Sequence, residues 1–187
     1  MLDKRLEIKK LTEYYLRYRP IADVLLFIAI TVLAHELYWR YIEGLASLPW
    51  MAAARNFMRE LLFAHSAFFL NLMFPYTNDG TIFLFPDIGY IDINNSCTGI
   101  KQFYQIIVLF LLFPGPWKHK TWYIPMSILI MHGVNIFRIV TLGIVLHTFP
   151  QAWDFTHDWI LRPFFYVVIF LLWVLWNEKF RKKPAIL

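Results

Sequence analysis

The chain has 187 residues, of which 59% are apolar, and carries a net charge of +5 from 18 Lys and Arg against 13 Asp and Glu. That is more apolar side chain than a soluble domain of this size can bury, so a lipid bilayer must solvate much of it. The basic residues cluster beside apolar runs instead of forming an aromatic-interleaved stripe, which argues against nucleic-acid binding, and the single cysteine excludes an internal disulfide or a CxxC redox or zinc site.

Residues 1–20 carry Lys4, Arg5, Lys9, Lys10, Arg17 and Arg19 and read as a basic cytoplasmic segment. The first apolar run, Ile21 to Trp39, follows a charged, Tyr-rich stretch and lacks a small-residue cleavage site, so it is expected to persist as a membrane span. His35 and Glu36 near its outer end lack the second histidine of a zincin pair and are expected at most to support a site. Met51 to Phe74 is ambiguous. Arg55, Arg59 and Glu60 are costly at membrane depth, and only Leu61 to Phe74 is predominantly apolar, so the segment is predicted to be an amphipathic helix at, or dipping into, the outer interface.

Thr81 to Phe85 and Tyr90 to Asn94 flank Pro86-Asp87-Ile88-Gly89 and predict a short external β-hairpin, with Ile91 and Ile93 on one face. Further spans are predicted over Gly99 to Phe113, Tyr123 to Leu146 and Phe164 to Trp176. Lys118 and Lys120 lie in the short loop between the second and third, and Lys179, Arg181, Lys182 and Lys183 follow the last. The positive-inside rule makes these clusters cytoplasmic, which requires an even number of crossings and puts residues 40–98 and 148–162 outside. The predicted fold is an all-α integral membrane protein of about four transmembrane helices, one interfacial or re-entrant helix and a hairpin. Residues 21–178 form the membrane-embedded core and 179–187 a basic cytoplasmic tail, in a multi-pass protein of the cell membrane. No internal repeat supports an inverted-repeat transporter.

Cys97 lies in Asn94-Asn95-Ser96-Cys97-Thr98-Gly99-Ile100, where the hairpin gives way to a span. With Asn95 or Ser96 as the cap, Cys97 is expected in the first turn of that helix, where free N–H groups and the helix dipole favour negative charge. Lys101, one turn on, adds positive potential; the bland alternative is a small buried thiol. Arg138, in Asn135-Ile136-Phe137-Arg138, is ~13 Å below the outer end of its span and requires a partner or a wet cavity. Asn135 shares its face and can orient it. A guanidinium there can stabilise an oxyanion; otherwise it pairs or snorkels within the bundle. His157, in the outer loop, can take a thiol proton if Asp154 or Asp158 sets its tautomer, although a loop histidine alone is usually just solvated. The topology directs all three toward one face. His65, His132 and His147 read as packing residues and the aromatic run Phe164 to Trp176 as lipid-facing surface; no metal site and no cofactor are expected.

These residues resemble the exosortase/archaeosortase family of membrane cysteine transpeptidases. Its members carry Cys-x-Gly-Ile/Leu at the start of one span, Asn-x-x-Arg within a later one and a histidine in the following external loop. Cys97-Thr98-Gly99-Ile100, Asn135-Ile136-Phe137-Arg138 and His157 match in that order. The resemblance covers Ala53 to Lys179 and is closest to the short, single-core type. Ser96 stands where many members have an acidic residue or Gly. It implies catalytic roles for Cys97, Arg138 and His157 and a substrate exported with a carboxyl-terminal motif, a membrane helix and a basic tail. Cleavage near the outer face through a thioester would follow, resolved by an amine, a glycolipid-type nucleophile or water. The competing readings are a non-catalytic polytopic scaffold for surface polymer or protein export and a thiol-dependent acyltransferase acting on lipid or carbohydrate.

Overall fold

Pro and Gly punctuate the chain into helices of very different length. The computed structural model describes residues 2–181, with side chains from Arg17 onward apart from Ala46. Helix α1 (Leu2–Leu37) passes through a π-type turn (Tyr38–Ile42) and a 3-10 turn (Glu43–Ser47) before Pro49 opens α2 (Pro49–Asn71). Leu48 is extended there, and Pro49 at the first helical position loses no hydrogen bond. Strands β1 (Thr77–Asp79), β2 (Ile82–Phe85) and β3 (Gly89–Asp92) follow, then α3 (Ile100–Leu112), α4 (Trp117–Thr148), a single turn α5 (Trp153–Phe155) and α6 (Arg162–Phe180). The predicted tail over residues 179–187 lies outside the described residues beyond Arg181, and Met1 of the basic segment does so too.

Among the described residues, three helical stretches are long and apolar enough to cross a membrane: Arg17–Leu45, Trp117–Thr148 and Pro150–Phe180. The chain belongs structurally to the helical membrane proteins predicted from its composition. The remaining predicted span, α3, has 13 residues, about 20 Å of helix, and packs between α1 and α4. It is short because Gly99 at φ +78° precedes it and Pro114-Gly115-Pro116 follows it. Residues 148–162, expected as a loop, are largely helical: a π-type turn (Thr156–Leu161) runs directly into α6.

The predicted hairpin is present and gains a strand. The sheet is antiparallel in the order β1-β2-β3, with Asn78 opposite Phe83 and Phe83 opposite Ile91. Phe83, Phe85, Ile91 and Ile93 turn inward onto Leu62, Leu70, Ile139 and Leu142, and this cluster includes Cys97. A second cluster packs Phe103, Phe110 and Phe113 of the α3 region against Phe165, Trp173 and Trp176 of α6. The aromatic run of α6 is therefore not wholly lipid-facing. Phe165, Ile169, Leu172, Trp173 and Trp176 are buried, whereas Phe164, Val167, Phe170 and Leu171 are exposed, as helical periodicity separates two faces.

Polar ties fix the helices where apolar packing is permissive. Lys120 is 4% exposed, and its ammonium donates to the carbonyls of Leu111 and Phe113, each at 2.9 Å, closing the last turn of α3. Tyr123 donates to Leu172 O at 2.7 Å and Trp176 to Pro114 O at 3.1 Å. Buried Asp23 of α1 pairs with Arg19 and with Arg181 beyond α6. His65 of α2 and His132 of α4 share a hydrogen bond of 2.9 Å, so these two are an interhelical tie. At Gly143 a Cβ would stand 2.5 Å from Leu70 Cδ2, so a side chain there would force Leu70 to shift where α2 approaches α4.

Candidate active site

The thiol is delivered by the end of the sheet. Beyond β3 the chain stays extended to Asn94, whose Oδ1 accepts from Ser96 N at 3.0 Å and from Ser96 Oγ at 2.6 Å. This caps a 3-10 turn (Asn95–Cys97), closed by Cys97 N donating to Asn94 O at 3.0 Å. Neither Asn95 nor Ser96 caps α3: Asn94 caps the 3-10 turn, Gly99 holds the N-cap position of α3 without a side-chain bond, and Cys97 precedes the α-helix instead of occupying its first turn. The reason is Gly99, whose left-handed backbone breaks the path before α3 begins at Ile100. Cys97 is 8% exposed, and Sγ lies 4.0 Å from Asp92 O.

Helix α4 supplies the next two groups from one face, three residues apart. Asn135, fully buried, donates from Nδ2 to the Cys97 carbonyl at 2.6 Å. Arg138, 9% exposed, brings Nη2 to 3.6 Å from Cys97 Sγ and to 3.2 Å from His157 Nε2, and its guanidinium lies over the Phe165 ring. His157 Nδ1 is 2.6 Å from Asp158 Oδ1. An ionised carboxylate only accepts and a guanidinium only donates, so this network assigns the proton to Nδ1 and leaves the Nε2 lone pair facing Arg138. Arg162 Nη1, 3.3 Å from the same Asp158 oxygen, holds that carboxylate from one turn along.

The three residues singled out in the sequence therefore meet: Arg138 touches both Cys97 and His157. Of the two carboxylates considered for His157, Asp158 makes the contact, while Asp154 lines the surrounding cavity. Lys101 also lines it, with Nζ over the Trp39 ring at 5.1 Å. His35 and Glu36 do not line it; His35 packs edge-on against Trp39, and Glu36 pairs with Arg40 at 3.6 Å. His147 stacks on Phe74 with ring centroids 3.8 Å apart and bonds Gly143 O at 2.8 Å.

The cavity has a volume of about 1460 Å³ and runs from Cys97, Arg138 and His157 past β3 to a second polar cluster that the sequence reading did not assemble. There buried Arg55 meets Glu43 through both guanidinium nitrogens, at 2.8 and 3.2 Å, and reaches Tyr38 OH at 3.4 Å. The signal was available in Arg55 itself, since an arginine on an amphipathic helix requires a partner when it is buried, but nothing local pointed to Glu43 twelve residues earlier. Among the described residues no group of three or more His, Cys, Asp or Glu is arranged to hold a metal ion.

Against known families, residues 24–175 match the model described as transmembrane exosortase (Exosortase_EpsH). No curated protein and no solved structure matches the chain.

Proposed function

The chain belongs to the transmembrane exosortase family, and from that premise we propose that it is a membrane-embedded cysteine transpeptidase that cleaves carboxyl-terminal sorting signals of exported proteins near the outer membrane face. Membership supports a transpeptidase-type role in the bilayer. The finer reading is carried by one observation: Arg138 Nη2 stands 3.6 Å from Cys97 Sγ and 3.2 Å from His157 Nε2, so a nucleophile, a cation and a base share one contact network.

In the proposed reaction, Cys97 Sγ attacks the substrate carbonyl and the thiol proton passes to His157 Nε2. Asp158 favours the Nδ1–H tautomer, whose Nε2 lone pair faces Arg138 at rest and accepts the proton as Arg138 turns away. Arg138 shifts its donors onto the developing oxyanion, and Asn135 keeps the Cys97 backbone from recoiling. Collapse of the tetrahedral species breaks the C–N bond; the departing amine takes the proton from His157 and a thioester remains on Cys97. Water, an amine or a glycolipid-type nucleophile then displaces the thiol. The substrate arrives by its own membrane helix, with the termini of the enzyme cytoplasmic and the site facing outward, as the basic clusters predict.

The test is coexpression with an exported protein bearing a candidate sorting signal from the same genome, comparing wild type with Cys97→Ala. A shorter product that disappears in the mutant is the expected result. Substrate left whole by wild-type enzyme across the genome's set of signal-bearing proteins, or cut equally by both enzymes, would overturn the proposal.

A further inference from the structure

The outer edge of β3 is unpaired, and it borders the cavity. The sheet order is β1-β2-β3, so among the described residues β3 has a neighbour on one side only. Which of its backbone groups face outward follows from the register. Ile93 N donates to Thr81 O at 3.2 Å, which makes that pair a hydrogen-bonded one. Counting back through Asp92 opposite Ile82 and Ile91 opposite Phe83, hydrogen-bonded and non-hydrogen-bonded pairs alternate. Ile91 therefore turns its N–H and C=O toward β2, whereas Tyr90 and Asp92 turn theirs to the open edge. The contact of Asp92 O with Cys97 Sγ at 4.0 Å is an independent check on that parity, because an inward-facing carbonyl could not make it. Gly89 to Asp92 all line the same cavity as Cys97, Arg138 and His157, and Tyr90 and Asp92 are exposed.

We infer that this edge is the docking rail for the substrate: an extended peptide segment adds to β3 as a fourth strand, its backbone paired with Tyr90 and Asp92. An open strand edge is a template for another chain, and strand addition is a recurring mode of peptide recognition. The dimension fits. Neighbouring strands lie about 4.8 Å apart, and Cys97 Sγ lies 4.0 Å from the outward carbonyl of Asp92, within one strand spacing of that edge. A segment held by main-chain hydrogen bonds is thereby brought to the thiol extended, with alternate residues facing the cavity wall. The inference rests on the reading of Cys97 as a peptide-attacking thiol, and it adds how the peptide is held.

The test does not require the natural substrate. Acetyl-tetra-alanyl chloromethyl ketones alkylate a thiol by forming one C–S bond and releasing chloride, and Cys97 is the single cysteine of the chain. A series differing only in the position of one backbone N-methyl group is reacted with the full-length protein in detergent, with iodoacetamide as a reagent that needs no strand. Expected is an alternation: methylation at every second residue slows Cys97 alkylation about tenfold, the equivalent of one or two lost hydrogen bonds, and methylation at the residues between has little effect. Tyr90→Pro, which deletes an outward N–H and no hydrogen bond to β2, should abolish the alternation, and Tyr90→Ala, which removes the side chain alone, should keep it. A wild-type series without alternation, or alternation that survives Tyr90→Pro at a normal iodoacetamide rate, would overturn the inference. Alternation without processing of any exported protein upholds peptide docking and removes the cleavage proposal. Processing without alternation does the reverse.

Discussion

Gly99 lies directly beneath the amide of Asn135: a Cβ added to it would stand 3.2 Å from Asn135 Nδ2, the atom that donates to the Cys97 carbonyl at 2.6 Å. The glycine thus serves the site twice, by accepting φ +78° and by leaving room for the group that anchors the thiol's backbone. Gly99→Ala is expected to cost about 1–2 kcal/mol from the left-handed backbone alone and to displace Asn135 as well. The thermal midpoint of the purified protein should fall, and processing should fall about tenfold or more, measured by the rate of product formation in coexpression. Unchanged stability and rate would show that the turn tolerates a side chain and that the Asn135 contact is dispensable.

Arg138 reaches Cys97 and His157 from one nitrogen because a planar guanidinium carries several fixed donors. A lysine keeps the charge and loses that geometry. Arg138→Lys should therefore leave the protein folded in the membrane while processing drops by about a hundredfold, the range for losing one oriented transition-state donor. Wild-type turnover in Arg138→Lys would reduce the residue to a generic counter-charge.

Asp158 faces His157 Nδ1 at 2.6 Å, and its role is orientation. Asp158→Asn offers an amide that can donate to Nδ1 and stabilise the wrong tautomer, so turnover is expected to fall on the order of a hundredfold or more, with iodoacetamide labelling of Cys97 retained. Arg162→Gln removes only the exposed partner of Asp158 and should change turnover by no more than a few-fold, in keeping with the small worth of surface ion pairs.

Much of the site was legible because its chemistry is concentrated in residue types that lipid does not tolerate idly. Arg138 within an apolar helix, a lone cysteine at an element boundary and a histidine on the same predicted side converge in space. The long apolar helices were equally legible from periodicity and length. What local pattern could not supply was tertiary choice. Asp154 and Asp158 are equivalent in sequence, and only the π-type turn of Thr156–Leu161 decides between them by rotating Asp158 onto the ring. The cap at Asn94 was obscured by two neighbouring candidates of the same chemistry, and β1 was missed because Thr77-Asn78-Asp79 has no apolar alternation and is held by its register with β2.

Arg55 and Glu43 join α2 to the turn after α1 across the far end of the cavity. Arg55→Met is expected to leave Glu43 without its partner and lower stability by about 1–2 kcal/mol, less than for a fully buried pair because Glu43 remains partly in contact with solvent. Thermal unfolding of the detergent-purified protein measures it. If the clamp shapes the cavity, Arg55→Met should also raise the substrate KM more than it lowers kcat, whereas a purely catalytic role would show the opposite split.

Lys120, expected in the loop before the third span, stands instead in the first turn of α4 and has two successive identities. By the positive-inside rule, its ammonium is expected to be one of the charges that set orientation while the chain is being inserted. Once α3 and α4 close together, the same ammonium is a hydrogen-bonding plug for the carbonyls of Leu111 and Phe113 and leaves Lys118 as the other lysine of that helix end. Replacing it by glutamine would separate those stages in time: the address would weaken at synthesis, and the joint between the helices only after folding.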